Sequence, residues 1–293
     1  MAGAEGSKRR EREAATWGSL LAEGRRRLPE PQFALFEGEE LLARATGRPR
    51  SWFQARRGER APAAEAAAYR ALVSRRAAGE PLQYLLGEWE FLGRTFRVDP
   101  RALIPRGETE GIVEVARSAA PGARRLLDLG TGSGILAVTL ALERTNATVF
   151  AVDRSYGALA LARHNASRHR VAGRICLVAS DWLSGLRPAA PFELVVSNPP
   201  YVPLREAPQL SRTVSDHEPA IALFGGEDGL EPLRTLLREL PLFLSRGAPF
   251  IFEFGYGQAR TVSELVEASG AFSLVDVRLD SAGIPRTATA VRT

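Results

Sequence analysis

The chain carries a single cysteine, Cys176, in 293 residues. One thiol cannot form an internal disulfide, and such sparing use fits a reducing compartment. Lying in an apolar run, Cys176 reads as a small core residue. No stretch of 18 apolar residues occurs, so no membrane span is expected. The N-terminus from Met1 to Arg12 mixes Lys and Arg with Glu and has no apolar segment, so neither a secretory signal nor a transit peptide is expected. These absences together predict a cytoplasmic protein. Histidine is also scarce: His164, His169 and His217 show no metal-ligand spacing, and no metal is expected. Internal repeats and low-complexity blocks are lacking. What is present is globular in character, 45% hydrophobic and 25% charged, and long enough for two domains.

Positive charge is in excess only in the first third. Residues 1–87 hold 16 Lys/Arg against 11 Asp/Glu, whereas residues 88–293 hold 23 of each. Groups such as Arg25-Arg26-Arg27, Arg56-Arg57 and Arg75-Arg76 could face RNA or an acidic partner, or form a solvated helical surface. Residues 13–79 are rich in Ala, Leu, Arg and Glu. Trp17, Leu20, Leu21, Leu28, Phe33, Leu35, Phe36, Leu41 and Leu42 recur at roughly helical spacing. Pro29, Pro31, Pro49 and Pro62 break the pattern into short helices, which predicts a bundle of four or five. With no catalytic constellation, the domain at 1–87 reads as a substrate-recognition module. The alternating runs Glu88–Phe91 and Thr95–Val98 around Leu92-Gly93-Arg94 predict a β-hairpin linker over 88–105.

From Arg124 onward, strands alternate with helices, the pattern of a parallel sheet covered on both faces. Strands are expected near 126–129, 148–152, 175–178, 192–196 and 249–254, with a closing antiparallel pair near 272–279 and 287–291. The domain at 106–293 is therefore an α/β, doubly wound, seven-stranded sheet. Functional candidates fall at successive strand ends, where open α/β sheets bind ligands. After the first strand comes Asp128-Leu129-Gly130-Thr131-Gly132-Ser133-Gly134. Its glycines allow a tight turn and close approach to a ligand. The spacing G-x-G-x-G departs from the dinucleotide fingerprint, and an acid two residues before Gly130 disfavours a pyrophosphate. A zwitterionic or cationic ligand such as S-adenosylmethionine suits it better. Asp153 ends the second strand and can accept hydrogen bonds from ribose hydroxyls. Asp181-Trp182 follows the third, where a carboxylate can take an adenine amine and an indole can cover the ring.

After the fourth strand stands Ser197-Asn198-Pro199-Pro200-Tyr201. The two prolines stop the ladder and stiffen the segment. The Asn198 carboxamide and the Pro199 carbonyl are then two fixed acceptors with an aromatic ring nearby, a set suited to a planar –NH2 group. Val202 to Asp228 is a long irregular stretch, uncommon unless functional. It is expected to close over the substrate.

Taken together, these residues resemble the HemK/PrmC family of protein-(glutamine) methyltransferases, which act on peptide chain release factors. The resemblance runs through Gly79-x-Pro81-x-Gln83-Tyr84-Leu85-x-Gly87, Leu103-Ile104-Pro105-Arg106-x-Glu108-Thr109-Glu110, Asp128 to Gly134 and Ser197 to Tyr201. It continues with Glu218-Pro219, Leu223-x-Gly225-Gly226-x-Asp228-Gly229-Leu230, Glu253-x-Gly255-x-x-Gln258 and Ala282-Gly283-Ile284-Pro285-Arg286. It implies a class I S-adenosylmethionine-dependent methyltransferase fold. By the same resemblance, Gly130 to Gly134, Asp153, Trp182 and Asn198 bind S-adenosylmethionine, and Asn198, Pro199, Pro200 and Tyr201 hold the glutamine of a Gly-Gly-Gln loop. Two positions depart from the family pattern: Gly107 stands where Pro is usual, and Phe254 where His is usual. Because Asn-Pro-Pro-Tyr is shared with nucleic-acid adenine methyltransferases, that activity is the alternative. The charge-neutral second domain offers no basic groove for it, and no stable nucleic-acid complex is expected.

Overall fold

The computed structural model describes residues 15–293. The chain divides into two compact units, Met1–Gly87 and Glu88–Thr293. In the described part of the first unit the helices are α1 (Trp17–Arg27), α2 (Ala34–Thr46), α3 (Arg50–Gln54), α4 (Ala63–Ala77) and α5 (Leu82–Leu86). Thr16 opens α1 with a capping box shared with Ser19, satisfying backbone donors that the first turn cannot. Left-handed Gly47 and Gly87 close α2 and α5. Trp17, Leu20, Leu41, Leu42, Phe53 and Tyr69 form the buried interior. Some of the arginine groups are spent inside this unit. Arg76 is buried on Glu37, with N–O distances of 2.8 and 2.9 Å. Arg75 pairs with Glu80, and Arg56 lies over the Trp52 ring. Arg25 and Arg26 stay exposed.

The second unit opens with the hairpin of β1 (Glu88–Phe91) and β2 (Arg94–Arg97). Leu92 and Gly93 both take positive φ, the twist that a two-residue hairpin turn requires. The hairpin expected to act as a linker is built into this unit. Phe91 and Phe96 enter its core beside Ile112 and Ala116. Asn165 brackets the Arg97 peptide, accepting from its N–H at 2.8 Å and donating to its carbonyl at 3.0 Å.

The main sheet comprises β3 (Arg125–Leu129), β4 (Thr148–Asp153), β5 (Ile175–Ala179), β6 (Leu194–Ser197), β7 (Pro249–Glu253), β8 (Phe272–Leu279) and β9 (Pro285–Arg292). Their spatial order is β5-β4-β3-β6-β7-β9-β8. β3 to β7 are parallel, and β9 inserts antiparallel between β7 and β8. The helices are α6 (Glu110–Ala119), α7 (Ile135–Glu143), α8 (Tyr156–Arg168), the single turns α9 (Arg212–Ser215) and α10 (Ala220–Leu223), then α11 (Glu231–Glu239) and α12 (Ala259–Ala268).

Alternation along the strands feeds two cores. Leu127, Leu129, Val195, Phe250 and Phe252 face Leu233, Leu236 and Leu237 of α11 and Val262 and Val266 of α12. Leu126, Val149, Ala151, Leu194, Val196 and Ile251 face α6 and α7. Phe254 adds to the first core, so the departure from His there is an apolar residue in an apolar place. Gly107 is exposed, and a Cβ there would meet nothing. Cys176 is not a core residue. β5 is the edge strand, and Cys176, on the same face as Val178, is exposed there. From β3 the chain winds outward to β5 and then returns to β6 on the other side of β3. The carboxyl ends of β3 and β6 therefore flank the point where strand order reverses, where such sheets open a crevice.

Candidate active site

The loops at that crevice surround a cavity of about 590 Å³. Gly130 to Ser133 line it after β3, Asp153 to Ser155 after β4, Ser180 to Trp182 after β5, and Asn198 with Pro200 after β6. Ala102 to Arg106, Thr109, Pro219 and Phe224 to Gly226 also line it, with Glu231 and Thr235 of α11.

The glycine loop is held from behind. Gly130 and Gly132 take φ of 71° and 54°, a region unfavourable for a side chain. The Gly130 and Thr131 N–H groups donate to the Val152 carbonyl, both at 2.9 Å. The Gly132 N–H donates to Asp153 Oδ2 at 2.9 Å, and Ser155 N–H to Oδ1 at 2.8 Å. Burial raises the Asp153 carboxyl above its ordinary range, and these two donors oppose the rise. Each of its oxygens keeps a lone pair for a further donor. Trp182, in the left-handed region at φ 48°, places its indole 3.7 Å from where a Gly130 Cβ would stand. Asp181 is exposed at the rim.

Gly134 does not line the cavity. A Cβ on it would stand 2.9 Å from the Ala162 Cβ, so this glycine serves the close packing of α7 on α8. Asp128 does not line it either, although the sequence suggested a carboxylate beside the ligand. It is fully buried and turns toward α7, accepting Thr131 Oγ1–H at 2.6 Å and Ala137 N–H at 3.1 Å. Its Oδ1 has no partner. Burial pushes this carboxyl up to about 7.

The Asn-Pro-Pro-Tyr segment is braced on several sides. Ser197 Oγ donates to the Leu129 carbonyl at 2.8 Å, tying β6 to β3. Asn198 lines the cavity and donates Nδ2–H to Thr109 Oγ1 at 3.0 Å. Thr109 in turn donates to Glu253 Oε2 at 2.7 Å. Pro199 is buried and is not a lining residue, while Pro200 is. Tyr201, half-buried, is not a lining residue, and its hydroxyl donates to Glu253 Oε1 at 3.0 Å. Burial, and then the Glu253 charge, push its phenol up. Glu253 is itself raised by burial, against the two hydroxyls that donate to it. Gln258 donates to the Tyr201 carbonyl at 3.0 Å. Gly225 and Gly229 let the next segment lie on this backbone: a Cβ would stand 2.4 Å from the Pro200 carbonyl or 2.2 Å from that of Tyr201. One wall segment is latched to another. Glu218, buried, accepts the Ile104 N–H at 3.0 Å and pairs with the Arg106 guanidinium.

Thr109, Glu253, Glu218 and Gln258 were not singled out as site residues by sequence. They lie within the motifs that carried the resemblance, and that was their only signal.

The described residues hold no helix long and apolar enough to cross a membrane, and no group of three or more His, Cys, Asp or Glu placed to hold a metal ion. Residues 19–87 match a family model described as PrmC N-terminal domain, and residues 112–214 one described as methyltransferase small domain. A release factor glutamine methyltransferase of Burkholderia pseudomallei is 43% identical over 252 residues, covering 84% of this chain and 88% of that protein. One from Bordetella pertussis is 40% identical, covering 88% and 95%. The chain belongs to the release factor glutamine methyltransferase family. It is thus an S-adenosylmethionine-dependent methyltransferase. Among solved structures, the hMettl16 catalytic domain in complex with the MAT2A 3'UTR hairpin 6 aligns with TM-score 0.56 at 15% identity, covering 75% of this chain and 81% of that one. A methyltransferase from Pyrococcus furiosus aligns with TM-score 0.52 at 17% identity, covering 76% and 96%. These two likenesses concern the fold alone.

Proposed function

We propose that this family member methylates the side-chain amide nitrogen of the glutamine in the Gly-Gly-Gln loop of peptide chain release factors. The observation that carries the site assignment is the state of Asn198. One Nδ2–H is held by Thr109, which fixes the orientation of the amide and leaves the carbonyl Oδ1 as an acceptor for a ligand. An acceptor at a cavity wall suits an –NH2 group, and family membership favours a side-chain amide over the adenine amine.

The cavity fits S-adenosylmethionine by the chemistry of its donor set. Asp153 would take the ribose hydroxyls, Trp182 would cover the adenine with Asp181 near its amine, and Gly130 to Ser133 would admit the methionine portion closely. When bound, that donor supplies an electrophilic methyl on a positively charged sulfur. The rest of the work falls to the chain. An amide nitrogen is a weak nucleophile because its lone pair is delocalised into the carbonyl. Asn198 Oδ1 and the Pro199 carbonyl would accept its two N–H bonds, orienting the lone pair and favouring positive charge as it develops on nitrogen. Tyr201, fixed by Glu253 and Gln258, would give the amide an aromatic face. One N–H proton leaves to water as the new N–C bond replaces the S–C bond. Much of the acceleration is then positional.

The helical unit at 1–87 we read as the part that selects a large protein partner, with Arg25 and Arg26 among its exposed cations. Incubating the protein with labelled S-adenosylmethionine and release factor, and locating the label by mass spectrometry, tests the reading. Label on the glutamine of Gly-Gly-Gln is expected, whereas label on DNA or RNA alone would overturn it. In Asn198→Ala most of kcat should be lost while the donor still binds measurably.

A further inference from the structure

Glu253 closes β7, beside the end of β6, where Ser197 pairs with Phe252. Its carboxylate is 1% exposed, and each oxygen receives one hydroxyl: Thr109 at 2.7 Å and Tyr201 at 3.0 Å. Thr109, also 1% exposed, has a single hydroxyl proton, and it is committed to the carboxylate. Toward Asn198 that oxygen can present only a lone pair. Only the –NH2 end of the Asn198 carboxamide can meet it. The reversed amide would set two acceptors 3.0 Å apart, with no proton between them, in a part-buried place.

We infer that Glu253 and Thr109 act as a polarity relay, fixing which end of the Asn198 carboxamide faces the substrate. The inference rests on the reading of Asn198 as the acceptor for the reacting amide. A carboxamide is nearly symmetric in shape, so packing alone cannot choose between its two orientations. Hydrogen-bond direction can. With the amide reversed, the substrate –NH2 would meet another –NH2, and the orienting contact would become a repulsive one. Glu253 and Thr109 are accordingly positioning residues that act through Asn198.

Two variants separate this role from a structural one. Thr109→Val keeps the side-chain shape and removes the relay, leaving the Asn198 amide free to turn. Glu253→Gln retains the volume but can direct an N–H at Thr109, whose proton then turns toward Asn198 and invites the reversed amide. For both, kcat on release factor should fall on the order of 10- to 100-fold, the range expected when one oriented contact to the reacting group is lost. The donor Kd and the KM for release factor should stay within a few-fold of wild type. Thr109→Ser, which restores the hydroxyl, should recover most of kcat. Should Glu253→Gln fail to fold, the Val and Ser variants at 109 carry the test.

If Asn198→Ala is inactive while Thr109→Val and Glu253→Gln turn over normally, the relay is wrong and the Asn198 reading stands. Near-normal turnover in Asn198→Ala overturns the underlying reading and the relay with it. Losses that appear equally in donor affinity and unfolding temperature, without rescue by Ser, assign these residues a structural role and overturn the relay.

Discussion

Asp128 shows how far a residue's part can lie from what its position suggests. Two residues before the first loop glycine, it could have faced the ligand. Instead it joins the first turn of α7 to β3, with one oxygen unpartnered and its carboxyl pushed up to about 7. Because this lies above the carboxylate's value in an unfolded chain, the native state holds more protons than the unfolded state between roughly pH 4 and pH 7. The group's contribution to stability therefore falls as pH rises through that window and is flat above it. Denaturant unfolding of wild type and Asp128→Asn at pH 5 and pH 8 should show a stability difference that changes by a few kcal/mol, wild type losing ground at pH 8. A difference equal at the two pH values would sink this account. Gly134 makes the complementary case. A methyl there meets Ala162 and sits at φ 82°, so Gly134→Ala should cost about 1–3 kcal/mol of stability. Donor affinity of the folded protein should change little, since Gly134 does not line the cavity. A large loss of affinity with unaltered stability would restore it to the binding loop. Sequence spacing could not separate Gly134 from Gly130 and Gly132, because all three need glycine and only the neighbours differ.

At the scale of elements, the readable features were those tied to strand ends. Asp153 ends a strand of recognisable pattern and Trp182 and Asn198 follow one, and parallel winding brings such ends to one edge. Pairings across the fold were not readable in this way. Thr109 and Glu253 are 144 residues apart and meet only because α6 and β7 are neighbours in space. Periodicity also cannot tell an edge strand from a central one, which is why Cys176 looked like a core residue. The stretch from Val202 to Asp228 contains turns of helix, among them α9 and α10, and places Pro219, Phe224 and Gly225 on the cavity wall. One of its fastenings is Glu218, a buried carboxylate serving both the Ile104 N–H and Arg106. Removing one partner of such a contact leaves the others without their counter-group. Glu218→Ala should thus loosen both wall segments, weakening S-adenosylmethionine binding about tenfold, as loss of a contact worth roughly 1.4 kcal/mol does. Limited proteolysis should become faster within 202–228, and the donor should protect this variant less than wild type. Unchanged cleavage and affinity would show that the latch does not hold the wall.

At the scale of the whole molecule, two compact units divide at Gly87. Every residue lining the cavity, from Arg101 to Glu239, belongs to the second. The first carries the positive excess, and its internal ion pairs, Arg76 on Glu37, Arg75 on Glu80 and Arg48 on Glu65, each use one charge of either sign and leave that excess intact. The net charge therefore stands, but the pairing decides which arginines remain to meet a partner, and Arg25 and Arg26 are exposed. If donor binding belongs to the second unit and partner selection to the first, the two should separate on truncation. A protein of residues 88–293 should bind S-adenosylmethionine within a few-fold of the full chain and methylate a short Gly-Gly-Gln peptide comparably. Its kcat/KM on intact release factor should fall at least about 100-fold, the loss of roughly 3 kcal/mol of binding contributed from outside the reacting centre. In the full-length protein, Arg25→Glu with Arg26→Glu should raise the KM for release factor and leave the peptide reaction unaltered. Equal activity of the truncated and full-length proteins on intact release factor would remove partner selection from the helical unit.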